Sequence, residues 1–282
     1  QRSSAASDVY KRQVLDRVSR NLEKEGKLAA YNKIFFDQLQ EEIIEEFFCS
    51  PKDFNKYIWL PHRPVFKDDA QTTTKMRPVF NCSLKSSHDR PSLNQASYPG
   101  INNMANMLKL LMHFRSNEYV LLGDLRQAFL QIRLKLLRDR NRFCFFIKDG
   151  NRLRCFRYST LLFGYVCSPF ILNHVIKFIA KMRPEDECAR MIADNFFVDN
   201  LVKTGNSVQE LSQLYKECSS RLAAVHFDLR SCNSNSIELQ QQMQRDDKFI
   251  MHGQILDKVL GYRYASSTCL LYTSPSPRDV HL

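Results

Sequence analysis

The sequence predicts an α+β fold on three observations. Residues 14–49 repeat apolar side chains at three- and four-residue steps. The run Tyr119-Val-Leu-Leu-Gly-Asp124 is apolar until its last residue, and two alternating segments, 143–147 and 152–158, flank Lys148-Asp149-Gly150-Asn151. These are the patterns of an amphipathic helix, a buried strand and a β-hairpin.

In chain order, Leu28, Tyr31, Ile34, Phe35, Leu39, Ile43, Ile44 and Phe47 form the apolar stripe of the first helix, which Pro51 stops. Residues 57–82 alternate and hold three prolines, so they read as short extended segments with a polar, mobile loop around Asp68 to Thr74. Residues 102–114 read as helix and Tyr119 to Leu125 as a strand; the hairpin follows. Pro169 to Lys181 reads as helix, Met191 to Val202 as a second hairpin, Val208 to Ala224 as helix and Phe249 to Tyr264 as short strands. No internal repeat or low-complexity tract interrupts this order.

Both ends carry a signature of DNA rather than of protein. Back-translating Asp8-Val-Tyr-Lys-Arg-Gln13 as GAT GTG TAT AAG AGA CAG gives the reverse complement CTGTCTCTTATACACATC. Read from its second base, that encodes Cys-Leu-Leu-Tyr-Thr-Ser, the sequence of residues 269–274. Residues 1–13 and 269–282 are therefore read as translated sequencing-adapter scars and set aside. Residues 14–268 are expected to be a fragment with natural ends elsewhere.

Composition bounds the rest. The scars hold Arg2, Lys11, Arg12 and Arg278 against Asp8 and Asp279, a net +2, so the remainder keeps +9 of the chain's +11. A basic balance of this size favours a polyanionic partner. The remaining stretch is long enough for a large core or two subdomains. It has no apolar run long enough to span a bilayer, so a soluble chain with no membrane partner is expected, and no signal peptide is visible. Its cysteines (49, 82, 144, 155, 167, 188, 218, 232) are scattered without a Cys-x-x-Cys or paired histidines, which favours free buried thiols over zinc or a disulfide framework.

The chemistry lies in two carboxylates. Asp124 ends the strand run, and Asp199 ends Phe196-Phe-Val-Asp in the middle of Phe196-Phe-Val-Asp-Asn-Leu-Val202. On adjacent strands of one sheet they would stand a few ångströms apart, where like charges in a partly dry site repel. Bound Mg²⁺ removes that cost, because hard cations take carboxylate oxygens, and a metal pair so held serves phosphoryl transfer. Spacing alone leaves a second reading open, in which Asp124 caps a following turn and Asp199 is a hairpin residue.

Asp124-Leu-Arg-Gln-Ala-Phe129, Leu162-Phe-Gly-Tyr-Val-Cys-Ser-Pro-Phe170 and Phe197-Val-Asp-Asn200 follow one another in the order of the three palm motifs of reverse transcriptases, which the chain thus resembles. More narrowly it is similar to the BEL/Pao group of long-terminal-repeat retrotransposon polyproteins. Tyr57-Ile-Trp-Leu-Pro-His-Arg-Pro-Val65, Thr74-Lys-Met-Arg-Pro-Val-Phe-Asn81 with Ser92-Leu-Asn94, Phe227-Asp-Leu-Arg230 with Ser234-Asn235, and Lys258-Val-Leu-Gly-Tyr262 carry that likeness.

The resemblance implies a right-hand polymerase, with fingers and a ferredoxin-like palm, acting as an RNA-directed DNA polymerase. Its expected divisions are an N-terminal helix and fingers over 14–112, palm over 113–131, fingers again over 132–160 and palm over 161–268. Thumb and ribonuclease H are missing from this order. Asp124, Asp199 and the backbone carbonyl of Leu125 would hold two Mg²⁺ ions, for which Mn²⁺ can substitute. Phe197 would sit in the nucleotide site beside Asp199. Phe129 would lie beneath the incoming sugar and exclude a 2′-hydroxyl; its alternative is a core aromatic. Lys75 and Arg77 would reach the triphosphate, and are otherwise a solvated basic loop. Gly164, Ser168 and Pro169 would open the helix lining nucleotide and template, though Ser-Pro is also an ordinary helix start. Implied partners are an RNA template, a DNA/RNA primer duplex, deoxynucleotides and the rest of a polyprotein: protease, ribonuclease H and integrase. The implied location is intracellular, in a cytoplasmic retroelement particle.

The chain departs from the motif at Asn200, where an aspartate is usual. An amide oxygen accepts but brings no charge, so metal affinity should fall. Asp199 is preferred to Asp194 of the earlier Asp194-Asn195 because Phe197 and Val198 fit the motif and Gly205 follows. The reading of a different class is a remnant without catalysis that binds nucleic acid through its basic surface; a third is a scaffold subunit active only with a partner chain.

Overall fold

The computed structural model describes residues 2–66, 76–85, 91–150, 152–182, 186–248, 257–259, 262–265 and 270–273, with side chains from 13 to 248. In chain order the elements are α1 (Arg2–Lys24), α2 (Leu28–Gln40), β1 (Ile44–Glu46), β2 (His62–Phe66), β3 (Met76–Phe80), α3 (Met107–Ser116), β4 (Tyr119–Leu125), α4 (Leu137–Arg140), β5 (Cys144–Asp149) and β6 (Arg152–Tyr158). They continue as α5 (Ser168–Lys181), α6 (Glu187–Asn195), β7 (Phe196–Phe197), β8 (Asn200–Gly205), α7 (Val208–Ala223), β9 (Leu229–Ser234), α8 (Ile237–Arg245), β10 (Asp257–Val259), β11 (Tyr262–Ala265) and β12 (Leu270–Thr273). The chain divides into two compact units that alternate along it, Gln1–Gly100 with Phe129–Ser168, and Ile101–Ala128 with Pro169–Leu282.

The first unit corrects the long helix expected over 14–49. Gly26, at φ 66°, closes α1, and Lys27 N–H donates back to the Leu22 carbonyl at 2.8 Å, the return bond of a left-handed C-cap. Glu42, at φ 57°, then ends α2, and Ile44 pairs with Tyr158 in the sheet β1-β6-β5. Both isoleucines, Ile43 and Ile44, are buried either way, so the apolar period could not distinguish strand from helix there. The β5–β6 hairpin turns at Gly150, whose φ of 58° suits a tight reversal. β2 and β3 pair as the extended segments expected of 57–82, while the loop Asp68 to Thr74 lies outside the described residues. Tyr31, Phe35, Phe80, Phe145, Phe156 and Tyr158 pack as one aromatic core around His62.

The second unit holds a four-stranded antiparallel sheet in the order β7-β8-β4-β9. Its connectivity is strand β4, helices α5 and α6, strands β7 and β8, helix α7, strand β9. That is the βαββαβ arrangement of a ferredoxin-like sheet, with β4 and β8 at its centre. The hairpin expected over Met191 to Val202 is half helix. Asp186 caps α6 by accepting from Ala189 N–H at 2.7 Å, and Cys188, Ala189, Met191 and Ile192 are buried at helical spacing, so only Phe196 and Phe197 pair with β8. α3 begins at Met107 rather than 102, because Asn106 accepts from Lys109 N–H and fixes the start there. β9 and α8 were not anticipated. Of the expected strands over Phe249 to Tyr264, β10 and part of β11 are described; 249–256 lie outside the described residues.

α1 runs without a break through the expected boundary at residue 13. The eight cysteines of residues 14–268 are free thiols, six of them buried. Among the described residues, no helix is long and apolar enough to cross a membrane.

Candidate active site

β4 lies between two hydrogen-bonded neighbours. Val120, Leu121, Leu122 and Leu125 are buried, and Asp124 is the half-buried acid near its end. Gly123 leaves room for the neighbouring strand's side chains: a Cβ there would stand 2.8 Å from Leu229 Cδ1, so the Leu229 side chain would have to shift beside the acid. The ladder to β9 shifts register between Leu122 and Asp124, next to Ser231 at φ 52°; such a bulge bends a strand and re-aims its side chains.

The β7–β8 hairpin brings the second acid to the same end of the sheet. Asp124 is the cross-strand partner of Asn200, and Leu125 N–H donates to the Asp199 carbonyl at 3.0 Å. Val198, at φ 58°, holds a conformation that costs a β-branched residue energy, and this turn delivers Asp199. Asn200 Nδ2 donates to Asp199 Oδ1 at 3.0 Å. Burial pushes the Asp199 carboxyl above its ordinary value, as desolvation disfavours its charge. Asp124, Leu125, Phe197, Asp199 and Asn200 thus share one sheet end within the second unit.

On the other flank of Asp124 stands Arg230, its cross-strand partner in β9. Arg230 Nε donates to Asp228 Oδ2 at 2.6 Å, and Arg126 N–H donates to the Asp228 carbonyl at 2.9 Å. The sequence placed neither residue beside the acids. Asp-x-Arg on alternate positions hinted at a shared strand face, but only the pairing register puts Arg230 next to Asp124.

Arg77, Phe129, Gly164 and Ser168 belong to the first unit, and Pro169 begins the return to the second. Arg77 is exposed on β3 opposite Val65. Phe129 is buried and meets Phe163 edge-on at 4.6 Å between ring centres. Gly164, at φ 87°, would set a Cβ 3.2 Å from the Phe80 carbonyl, so the close approach it permits is to the end of β3. Asn94 braces this turn, donating to the Gly164 carbonyl and accepting from Val166 N–H, both at 2.9 Å. Ser168 starts α5 and donates to the Leu162 carbonyl at 2.8 Å. Lys75 lies outside the described residues.

Among the described residues there is no cluster of three or more His, Cys, Asp or Glu side chains placed to hold a metal. The acids at the sheet end are two carboxylates, hard oxygen donors that suit a hard divalent cation. The desolvated Asp199 is a group whose charge a cation would relieve.

The fold is mixed α/β, and its central strands bring two acids to one end of one sheet. The chain belongs to the reverse transcriptase (RNA-dependent DNA polymerase) family, whose model matches residues 65–234, more than half of the sequence. Two solved structures share its fold. One is the native protease–reverse transcriptase of prototype foamy virus, at 14% identity and a TM-score of 0.51, over 70% of this chain and 22% of that one. The other is a foamy viral protease–reverse transcriptase in complex with an RNA/DNA hybrid, at 13% identity and a TM-score of 0.57, over 88% and 27%. The chain therefore spans about a quarter of either relative. No curated protein matches its sequence.

Proposed function

We propose that the chain is the polymerase segment of a BEL/Pao-type retroelement polyprotein, transferring a deoxynucleotide to a primer 3′-hydroxyl on an RNA template. The observation that carries this reading is the register that sets Asp124 against Asn200 and joins Leu125 to the backbone of Asp199. Asp124, Asp199 and the Leu125 carbonyl would hold two Mg²⁺ or Mn²⁺ ions. When bound, these would lower the pKa of the attacking hydroxyl and neutralise the leaving pyrophosphate.

The protein's part is to present oxygen ligands from the end of β4 and from the turn that enters β8. Phe197 and Asn200 belong with that set. Phe129 is assigned to sugar selection, Lys75 and Arg77 to the triphosphate, and Gly164 to the template and nucleotide side. Residues 14–112 and 132–160 are read as fingers, and 113–131 and 161–268 as palm. The alternation of two compact units and the βαββαβ order of the second support this. Thumb, ribonuclease H, protease and integrase are assigned to the remainder of the polyprotein, and an intracellular particle to its location. The foamy viral relative with a bound hybrid supports a template–primer duplex as partner. Residues 1–13 and 269–282 are assigned to adapter sequence on their inverted coding relation.

Asn200 favours a second reading, a retroelement remnant that only binds nucleic acid. Primer extension on an RNA template, with the chain as it stands, Asp199→Asn and Asn200→Asp, separates the two. Extension that disappears in Asp199→Asn is the expected result. Extension by Asn200→Asp alone would mean an attenuated polymerase, and hybrid binding without extension in any of the three would establish the binder.

A further inference from the structure

Asn200 does more at this sheet end than replace an acid. Its Nδ2 lies 3.0 Å from Asp199 Oδ1, and a carboxylate can only accept, so the amide is the donor. The backbone that carries this amide is fixed on both sides: Asn200 pairs with Phe197 across β7 and with Asp124 across β4. Asp199 sits in the turn after Val198; its carbonyl accepts from Leu125 N–H, and its carboxylate accepts from its own backbone N–H as well as from the Asn200 amide. The donor is therefore on the rigid strand and the acceptor on the turn. An aspartate at 200 would present a second anion here and could donate nothing at neutral pH.

We propose that Asn200 is a positioning residue, whose amide holds the Asp199 carboxylate in the orientation that lets it ligate a divalent cation together with Asp124. This rests on the two-carboxylate reading above. The chain trades one negative charge for one fixed ligand, and Asn200 need not touch the metal. Partners that orient a metal ligand typically govern affinity by about 10- to 100-fold when removed.

The test is Mn²⁺ binding to the full chain, followed by loss of the free-ion electron paramagnetic resonance signal, for the natural protein, Asn200→Ala and Asp199→Asn. Asn200→Ala should bind Mn²⁺ at least ~10-fold more weakly while its thermal unfolding midpoint stays put; a merely structural asparagine would move the midpoint instead. Equal affinity in the natural chain and Asn200→Ala, with loss in Asp199→Asn, overturns the positioning role and leaves the two-carboxylate reading standing. Mn²⁺ binding by none of the three overturns that reading and the proposal with it. Should Asn200→Ala unfold, side-chain amide exchange in the natural metal-free chain decides. Asn200 protons should exchange more slowly than those of exposed Asn102, and equal rates would sink the proposal.

Discussion

His62 shows how much one residue can fix. Its Nε2 donates to the Phe146 carbonyl at 2.8 Å, which leaves Nδ1 to accept from the Tyr31 hydroxyl at 2.7 Å, so the ring is a neutral, single tautomer. Phe35, Phe80 and Phe145 enclose it. Burial pushes its pKa down from 6.5 to about 4. The unfolded chain therefore binds the extra proton between those values. This contribution to stability is present in full above pH 6.5 and is lost as pH falls toward 4, on the order of 3 kcal/mol in all. Urea melts across that window should show the decline, and His62→Gln should lack this part of it. A variant that declines as steeply as the natural chain would show that the histidine is not the titrating group. At this scale Asp124 and Asp199 were legible because acids ending apolar runs are conspicuous. The bond from Asn200 to Asp199 and the neighbourhood of Arg230 were not, since both depend on cross-strand register.

α6 is the element through which the second acid is placed. It runs directly into β7, and Asp186 serves it twice, capping its first turn and pairing with Arg221 of α7. Asp186→Ala should cost about 1–2 kcal/mol, the sum of a lost cap and a partly exposed ion pair. Arg221→Ala should cost less, because the cap survives. Chemical denaturation of the two variants checks the order; equal losses would mean that the cap contributes nothing. Elements with one clear period were readable in advance. β4 spans Tyr119–Leu125 as expected, and α7 runs from Val208 to Ala223 against an expected 208–224. The failures have local causes. In β1 the apolar residues fit either period and Glu42 decided the outcome, while α6 keeps a helical step whose start, the Asp186 cap, lies ahead of the expected hairpin. β9 and α8 are rich in Ser, Asn and Gln and carry only a few scattered apolar residues, so no apolar run marks them in the sequence.

The basic balance of the whole molecule governs how it meets a polyanion. With a formal charge of +11, binding to an RNA/DNA hybrid should be driven largely by released counterions. If six or more phosphates are neutralised, affinity should fall by roughly a thousandfold between about 50 mM and about 200 mM salt. Fluorescence anisotropy over that range tests it, and a flat salt response would remove charge as the basis of binding. The same titration with Asp124→Asn should run parallel, because that acid is assigned to chemistry rather than to the backbone of the duplex.

Sequence by itself determined the mixed α/β class, the central strand, the two acids and the motif order that points to the family. These are local properties: a period, a run, or residues a few positions apart. Tertiary structure decided which residues face each acid. The bulge opposite Gly123, the left-handed Val198 and the pairing of Asp124 with both Asn200 and Arg230 arise from segments far apart in the chain. Cross-strand register is set by packing over the whole sheet. A shift of one residue would have turned the same amino acids to the opposite face, and nothing local to either strand rules that shift out.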